Sequence, residues 1–178
     1  MLSNSAARRC TPKPNAACKG NRATFSKAEA PAREEFFVDP TRANFDAFKA
    51  LPRNTPINML NLIRYRERAL YPAGHSHAAR GLSGAEAYAE YGRTSEPIFT
   101  RVGGKTIWRG KFEAMVTGPA GEGEHWDLGF IAAYPNAAAF LAMITDPDYK
   151  LAVIHRQAAV LTSRLVRFAP LEAGHGFA

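Results

Sequence analysis

The order of the apolar segments between residues 57 and 169 restricts the fold of this chain more than any other feature. Short apolar stretches predict four strands, at 57–64, 105–116, 125–134 and 161–169. Apolar residues at helical spacing lie between the first two strands and again between the last two. This order predicts an α+β ferredoxin-like domain, βαββαβ, with helices on one face of an antiparallel sheet. The other sheet face needs a cover, and a second copy of the chain is the simplest one, so we expect a homodimer.

Capping and breaking residues set the expected ends of these elements. Ser83 and Glu86 have the spacing of a capping box at the start of the first core helix, and Pro97 predicts a kink within that helix. Asp39, which precedes a proline, is the expected N-cap of an extra N-terminal helix. Gly110 interrupts the second strand and predicts a bulge there.

The chain is predicted to hold one folded domain and two tails. Residues 1–34 are rich in small, basic and proline residues without an apolar period, which predicts a disordered basic tail. The alternatives are an organelle transit peptide, which this segment faintly resembles, and a start codon assigned too early. Residues 35–172 form the expected ferredoxin-like domain, and residues 173–178 a C-terminal tail. The length of 178 residues is sufficient for one domain with a core of its own.

The net charge of +7 lies mainly in the predicted tail. Residues 1–30 hold six basic residues and one acid, whereas residues 31–178 hold 17 basic and 15 acidic residues. Proteins that bind DNA specifically usually carry their positive charge on the folded surface. We therefore expect no nucleic acid among the partners of the domain, and only the tail remains a candidate for salt-sensitive binding.

Cysteine use and hydropathy indicate a cytoplasmic protein. Both cysteines, Cys10 and Cys18, lie in the predicted tail, at a spacing that matches neither zinc nor redox motifs. No apolar run reaches the roughly 20 residues of a membrane helix. No apolar segment follows Met1 as it does in a secretory signal. We expect no membrane among the partners.

Five segments of the chain resemble a known protein family. They are MLNLIRYR, LSGAEAYAEYG, VGGKTIW, FIAAYPNAAAFLAMITDPDY and HRQAAV. Together they resemble, over residues 39–170, the uncharacterised family catalogued as domain of unknown function thirteen-thirty. That family is placed in the dimeric α/β-barrel superfamily. The resemblance implies two ferredoxin-like sheets packed face to face across a dimer, with a pocket in each protomer between its own sheet and its helices.

The resemblance leaves several functions open. The superfamily includes cofactor-free monooxygenases, haem-degrading monooxygenases, small isomerases and proteins with no known reaction, so the fold alone does not choose among them. The haem-degrading branch uses an asparagine on the first strand with a tryptophan and a histidine on the second helical segment. Asn61 and His155 match two of these positions, but residues 136–160 contain no tryptophan. We therefore expect no haem and no other cofactor.

Two polar residues in apolar surroundings are the candidates for catalysis. Asn61 lies within the first strand, where a buried amide needs a hydrogen-bond partner. It is either a structural residue bonded to a neighbouring loop or a donor to a carbonyl or oxyanion of a ligand. His155 lies on the last helix and is either a surface residue favoured by the helix dipole or a general base.

Aromatic and basic residues are the candidates for ligand contact. Tyr88 and Tyr91 fall on the inward face of the first core helix, and Trp108 lies on the second strand. Each of the three is either a ligand contact or a packing residue. Arg64 and Arg156 either bind an anionic substrate or form ion pairs.

No metal-binding or phosphate-binding motif accompanies these residues. His75 and His77 are two residues apart, but no acidic residue lies near them in the sequence, and we expect no metal. The function we predict is that of a small-molecule pocket protein of an uncharacterised kind, a cofactor-independent monooxygenase or isomerase that acts on an aromatic or carbonyl substrate. The alternative is a non-catalytic homodimer that binds a ligand or has a stress-related role.

Overall fold

The computed structural model describes residues 36–118, 124–172 and 174. All of them belong to one compact unit, Glu34–Ala178. The tail predicted at residues 1–34 lies outside the described residues, and so does most of the tail predicted at 173–178. The character of both tails therefore stays a prediction.

Four strands form a single antiparallel sheet. They are β1 (Ile57–Tyr65), β2 (Lys105–Lys111), β3 (Leu128–Tyr134) and β4 (Val160–Phe168). Across the sheet they lie in the order β2-β3-β1-β4, and every neighbouring pair is antiparallel. The central position of β1 fits its apolar sequence, since it is covered by a strand on each side. This order, with helices between β1 and β2 and between β3 and β4, is ferredoxin-like, and the predicted fold class is confirmed.

The helices lie before β1 and in the two crossovers. They are α1 (Arg42–Ala50), α2 (Gly84–Arg101), α3 (Ala137–Thr145) and α4 (Pro147–Ala159). The capping box is present at the start of α2, because the Ser83 hydroxyl accepts a bond from the Glu86 amide and the Glu86 carboxylate accepts one from the Ser83 amide at 2.8 Å. Pro97 lies inside α2, which continues past it to its last turn.

The N-cap of α1 is Thr41 and not Asp39, so the predicted cap was wrong. The Thr41 hydroxyl accepts a hydrogen bond from the Asn44 amide at 3.2 Å. The carboxylate of Asp39 instead accepts a bond from the Gln157 side chain at 3.0 Å. Threonine and aspartate are both good N-caps, and the contact with α4 decides between them here.

The second strand is shorter than predicted, and its irregularity lies elsewhere. β2 ends at Lys111, and its pairing with β3 shifts between Thr106 and Trp108, not at Gly110. A Cβ on Gly110 would lie 2.7 Å from the Trp108 ring, and one on Gly129 would lie 3.2 Å from it. The two glycines therefore leave room for the indole ring against the sheet. This close approach explains why position 110 is a glycine, and no bulge is needed there.

The buried core consists of two clusters on the helix-covered side of the sheet. The first is built from Ile57, Met59, Ile98, Ala132, Tyr134, Ala137 and Met143. The second is built from Ile63, Ala87, Tyr88, Leu128, Ala159 and Val160. On β1, Asn61 falls between Met59 of the first cluster and Ile63 of the second, and alternation along the strand points all three to the same side. Asn61 therefore lies between the two apolar clusters.

Candidate functional site

A groove of about 1520 Å³ lies between the sheet and the helices. Its floor includes Met59, Asn61 and Phe130, and α2 forms one wall. Residues 37–51 form another wall, because this segment is held at the edge of the sheet. The Ser163 amide of β4 donates a hydrogen bond to the Phe37 carbonyl at 2.7 Å.

Tyrosine side chains line much of the groove. Tyr65 and Tyr88 have ring centroids 5.3 Å apart, and Tyr88 and Tyr91 are 5.4 Å apart. The hydroxyls of Tyr91 and Tyr149 share a hydrogen bond of 2.9 Å. Burial raises the pKa of Tyr65 to about 12, and it raises the pKa of Tyr88 and Tyr149 as well. The phenols of Tyr65, Tyr88 and Tyr149 are therefore neutral near pH 7 and can donate hydrogen bonds, but they are poor bases.

Arg156 lines the groove as part of a bonded network. Its guanidinium donates to the Val38 carbonyl at 2.6 Å and to the Ser163 hydroxyl at 3.0 Å. It also lies 3.7 Å from a carboxylate oxygen of Asp39. These contacts join α4 to the N-terminal segment and to β4. Arg156 therefore stabilises the wall of the groove and also gives it a positive charge.

Four of the seven candidate residues come together in this groove. Asn61, Tyr88, Tyr91 and Arg156 all line it. The amide of Asn61 donates to the Met59 carbonyl of its own strand at 2.9 Å, so part of its bonding capacity is used locally.

Trp108 and Arg64 do not line the groove. The Trp108 ring lies against Gly110 and Gly129, and the Leu62 side chain of β1 lies beside Gly129. Arg64 alternates with the buried Ile63 on β1, and it has interactions of its own within the protein. Both residues belong to the outer face of the sheet, opposite the helices.

His155 lies on a different side of α4, in a cluster of aromatic rings. Its side chain is only 8% exposed, and its Nδ1 atom lies 2.8 Å from the Tyr71 hydroxyl. The rings of His75 and His77 have centroids 5.5 and 4.9 Å from that of His155. Burial lowers the pKa of His155, and the neighbouring imidazoles lower it further. The ring is therefore neutral near pH 7. His155 is not among the residues that line the groove.

The rings of His75 and His77 pack against each other and against Tyr71. Within residues 36–118 and 124–172, no group of three or more histidine, cysteine, aspartate or glutamate residues is placed to hold a metal ion. The His75 ring stacks on Tyr71, with centroids 4.8 Å apart. The Nδ1 atom of His75 accepts a bond from the His77 amide at 3.1 Å, which uses one of its two nitrogens.

Sequence reasoning missed several residues that line the groove, among them Tyr65 and Tyr149. Strand alternation offered a signal for Tyr65, which is four residues after Asn61 and so points to the same side of β1. Tyr149 lies seven residues before Arg156, two helical turns, and shares its face of α4.

A family model matches the chain over residues 79–167, which include α2, α3, α4, β2, β3 and all of β4 except its last residue. It is described as Domain of unknown function (DUF1330). The chain belongs to this family. The match agrees with the resemblance stated above, and no protein in the curated collections matches the chain.

Two solved structures of one bacterial protein are similar to the chain over most of its length. The methylated RPA0582 protein is 54% identical, with a TM-score of 0.71, over 78% of this chain and 98% of the other. The RPA0582 protein of unknown function from Rhodopseudomonas palustris is 52% identical, with a TM-score of 0.70, over 78% of this chain and 100% of the other. A dimeric protein of unknown function with a ferredoxin-like fold from Bacteroides fragilis is 12% identical, with a TM-score of 0.41 over 66% of this chain and 99% of the other, too distant to carry an argument.

The helices in the described part of the chain do not have the combination of length and apolar character that crossing a membrane requires.

Proposed function

We propose that this protein binds a small aromatic or carbonyl compound in the groove between its sheet and its helices. The observation that carries the proposal is the groove itself, about 1520 Å³ in volume and lined by neutral phenols and aromatic rings. Small-molecule sites are concave, mostly apolar, and have a few polar groups that orient the ligand. Met59, Phe130 and Phe140 supply apolar surface of this kind, and Tyr91 and Asn61 supply polar atoms beside it.

The groove favours chemistry at a carbonyl group. Neutral phenols donate hydrogen bonds to an oxygen on which negative charge develops, as in an enolate. An isomerisation of a carbonyl compound moves one proton between two carbons and needs neither oxidant nor reductant. We propose this reaction class ahead of a cofactor-independent monooxygenase, for which O₂ would be a second substrate and the organic substrate the electron donor.

The catalytic roles of Asn61 and His155 are separate hypotheses within this proposal. Asn61 lines the groove, and we propose that its amide contacts an oxyanion of the ligand there. His155 is bonded to Tyr71 on another side of α4, so a role as base requires a ligand that reaches beyond the groove. A non-catalytic protein that only binds its ligand is the alternative, and the separation of His155 from the groove favours it.

We also propose that the outer face of the sheet joins two copies of the chain. Trp108, Ile131, Leu60 and Val166 are successive cross-strand neighbours on β2, β3, β1 and β4. Trp108 is 52% exposed and Val166 41% exposed. An apolar row that crosses a whole sheet is larger than the scattered apolar residues of ordinary surfaces and is typical of an interface.

Binding to the groove is tested with 2-acetonaphthone, an uncharged aromatic ketone. With about 13 non-hydrogen atoms at about 0.3 kcal/mol each, we expect a dissociation constant of about 1 mM or tighter, at one site per chain. Gly92 lines the groove, and a Cβ at its position meets no atom within 4 Å, so Gly92→Phe places a ring in the groove. We expect this variant to bind the ketone at least tenfold more weakly, as measured by fluorescence titration.

The matched control is Arg93→Phe, which adds the same ring at the next residue of α2, outside the groove. Arg93 is exposed, and its ion pair with Glu90 is of the surface kind that contributes little to stability. Ketone binding should be unchanged in this variant. No saturable binding to the unmodified protein, or equal loss in both variants, would refute the proposed site.

A further inference from the structure

Three polar groups line the groove between the middle and the end of β1. Tyr65 is the last residue of β1, Tyr88 lies on α2, and Arg109 lies on β2, and all three line the groove. The Tyr65 and Tyr88 rings are tilted by 48° with centroids 5.3 Å apart. The positive charge of Arg109 acts on both phenols and lowers the pKa of each, against the larger opposing effect of burial.

Among the described residues, the side chains of these three have no hydrogen-bond partner. Within the part of the chain that the structure describes, neither phenol oxygen nor the Arg109 guanidinium makes a hydrogen bond or an ion pair. Tyr88 is only 9% exposed as a residue, but its hydroxyl is not fully buried and is accessible from the groove. A carboxylate of a ligand can accept hydrogen bonds from these donors in place of water.

Arg109 differs in this respect from the other arginines that line the groove. Arg156, Arg164 and Arg167 each donate to an oxygen of the protein, at 2.6, 2.9 and 2.6 Å respectively. Their charges are therefore engaged in holding the walls. Arg109 keeps a full set of donors for a ligand, and a guanidinium binds the two oxygens of a carboxylate as a matched pair.

One acid lies near this place but is engaged elsewhere. A carboxylate oxygen of Asp127 accepts a hydrogen bond from the Tyr65 backbone amide at 2.7 Å. It forms no ion pair with Arg109 in the described structure. The charge that Arg109 offers to the groove is therefore not neutralised by this neighbour.

We propose that Tyr65, Tyr88 and Arg109 form a carboxylate-binding subsite, and that the ligand of the groove is an aromatic or carbonyl-containing carboxylic acid. The guanidinium pairs with the two carboxylate oxygens, and the two phenols donate to them. This inference rests on the proposed function of the groove and specifies the chemical class of its ligand. The rings of Tyr88 and Tyr91 then lie beside the apolar part of the ligand.

The test compares two probes of nearly the same shape. 2-Naphthoate carries a carboxylate where 2-acetonaphthone carries a methyl ketone, so the two differ chiefly in charge. We expect the unmodified protein to bind the naphthoate at least tenfold more tightly than the ketone, as measured by fluorescence titration at pH 7.5 and low salt.

Arg109→Gln should remove this preference. Arg109 is exposed on its strand, so the variant is expected to fold, and its thermal unfolding checks this. Naphthoate binding should weaken at least tenfold, while ketone binding should stay within twofold. Lys111→Gln is the matched control, because Lys111 lies two residues along the same strand, on the same face, outside the groove. It should leave both affinities unchanged.

The possible outcomes separate the subsite from the groove. If both probes bind equally well and Arg109→Gln changes neither, the subsite is refuted and the proposed groove stands. If Lys111→Gln weakens naphthoate binding as much as Arg109→Gln does, the preference is a general charge effect and the subsite is also refuted. If neither probe binds, the proposed function fails, and the subsite fails with it.

Discussion

The protonation of His155 is set by the aromatic rings around it. Its Nδ1 atom is bonded to the Tyr71 hydroxyl, and the imidazoles of His75 and His77 lie against its ring. A proton on His155 would be poorly solvated and would repel any charge on the other two rings. These contacts hold the pKa of His155 below 6.5 in the folded protein. The unfolded chain has no such restriction.

Stability should therefore fall as the pH drops below 6.5. In that range the unfolded chain binds a proton that folded His155 resists, so the free energy of unfolding decreases by at most about 1.4 kcal/mol per pH unit until the folded pKa is reached. His155→Gln, which carries no titrating group, should lose less stability between pH 7.5 and 5.0 in urea unfolding.

His125→Gln is the control for this measurement, because His125 is an exposed histidine outside the cluster. Its pH profile should follow that of the unmodified protein. An unchanged pH profile in His155→Gln would contradict the account of the cluster.

The sequence identified the groove residues of α4 only in part, for a reason of geometry. Neighbouring residues on a helix point about 100° apart. Tyr149, Val153 and Arg156 line the groove at spacings of four and three residues, so His155, one residue earlier than Arg156, faces elsewhere. A sequence pattern predicts which residues share a face, but which face meets the groove depends on how α4 packs.

At the scale of elements, close packing fixes the start of α2. The Gly84 amide donates to the Arg66 carbonyl at 3.0 Å. A Cβ on Gly84 would lie 2.2 Å from that carbonyl oxygen and 2.7 Å from the carbonyl oxygen of Ala159. Both are backbone atoms and cannot rotate away. Gly84 therefore permits α2 to approach the ends of β1 and α4.

Gly84→Ala should destabilise the protein by about 1–3 kcal/mol, because three elements must separate to admit a methyl group. Gly92→Ala, eight residues along the same helix, meets nothing within 4 Å and should stabilise the protein by about 0.5–1 kcal/mol through helix propensity. Urea unfolding of the two variants measures the difference. Equal effects in both would show that the approach at Gly84 is not tight.

Element order could be predicted from the sequence, whereas element ends were less certain. The apolar stretch of β1 and the capping box at Ser83 are local signals, and both agree with the structure. The end of β2 at Lys111 and the start of β3 at Leu128 depend on where pairing between the two strands stops. No local signal reports that, since the apolar residues beyond Lys111 fit a strand equally well.

At the scale of the whole molecule, the groove is a consequence of a divided core. Asn61 lies between the two clusters on β1, and Phe130 packs against both. The sequence marked Asn61 as unusual, but it contained no signal for the N-terminal wall, which depends on the pairing of Phe37 with Ser163. The groove could therefore be expected from the family resemblance, but its lining could not be derived from the pattern of one chain.

The proposed dimer is tested by charging the outer face of the sheet. The chain mass is 19.4 kDa, and we expect light scattering to give about twice that for the unmodified protein. Phe168 pairs with Asn58, two residues before Leu60 on β1, and so shares the outer face. Trp108→Glu combined with Phe168→Glu places two charges on exposed apolar positions of this face and should give a monomer.

Leu151→Glu is the matched control for the dimer. Leu151 is a more exposed apolar residue, 67% accessible, but it lies on α4, on the helix side of the sheet. This variant should remain dimeric. A monomeric unmodified protein, or a dimer that survives the double substitution, would contradict the proposed interface.

The central claim is that a small molecule binds between the sheet and the helices, and a crystal structure of the protein with 2-acetonaphthone tests it most directly. We predict electron density for the ligand in contact with Tyr88, Tyr91 and Asn61. Ligand density only on the outer face beside Trp108, or a groove closed by side chains with no ligand at saturating concentration, would contradict the account.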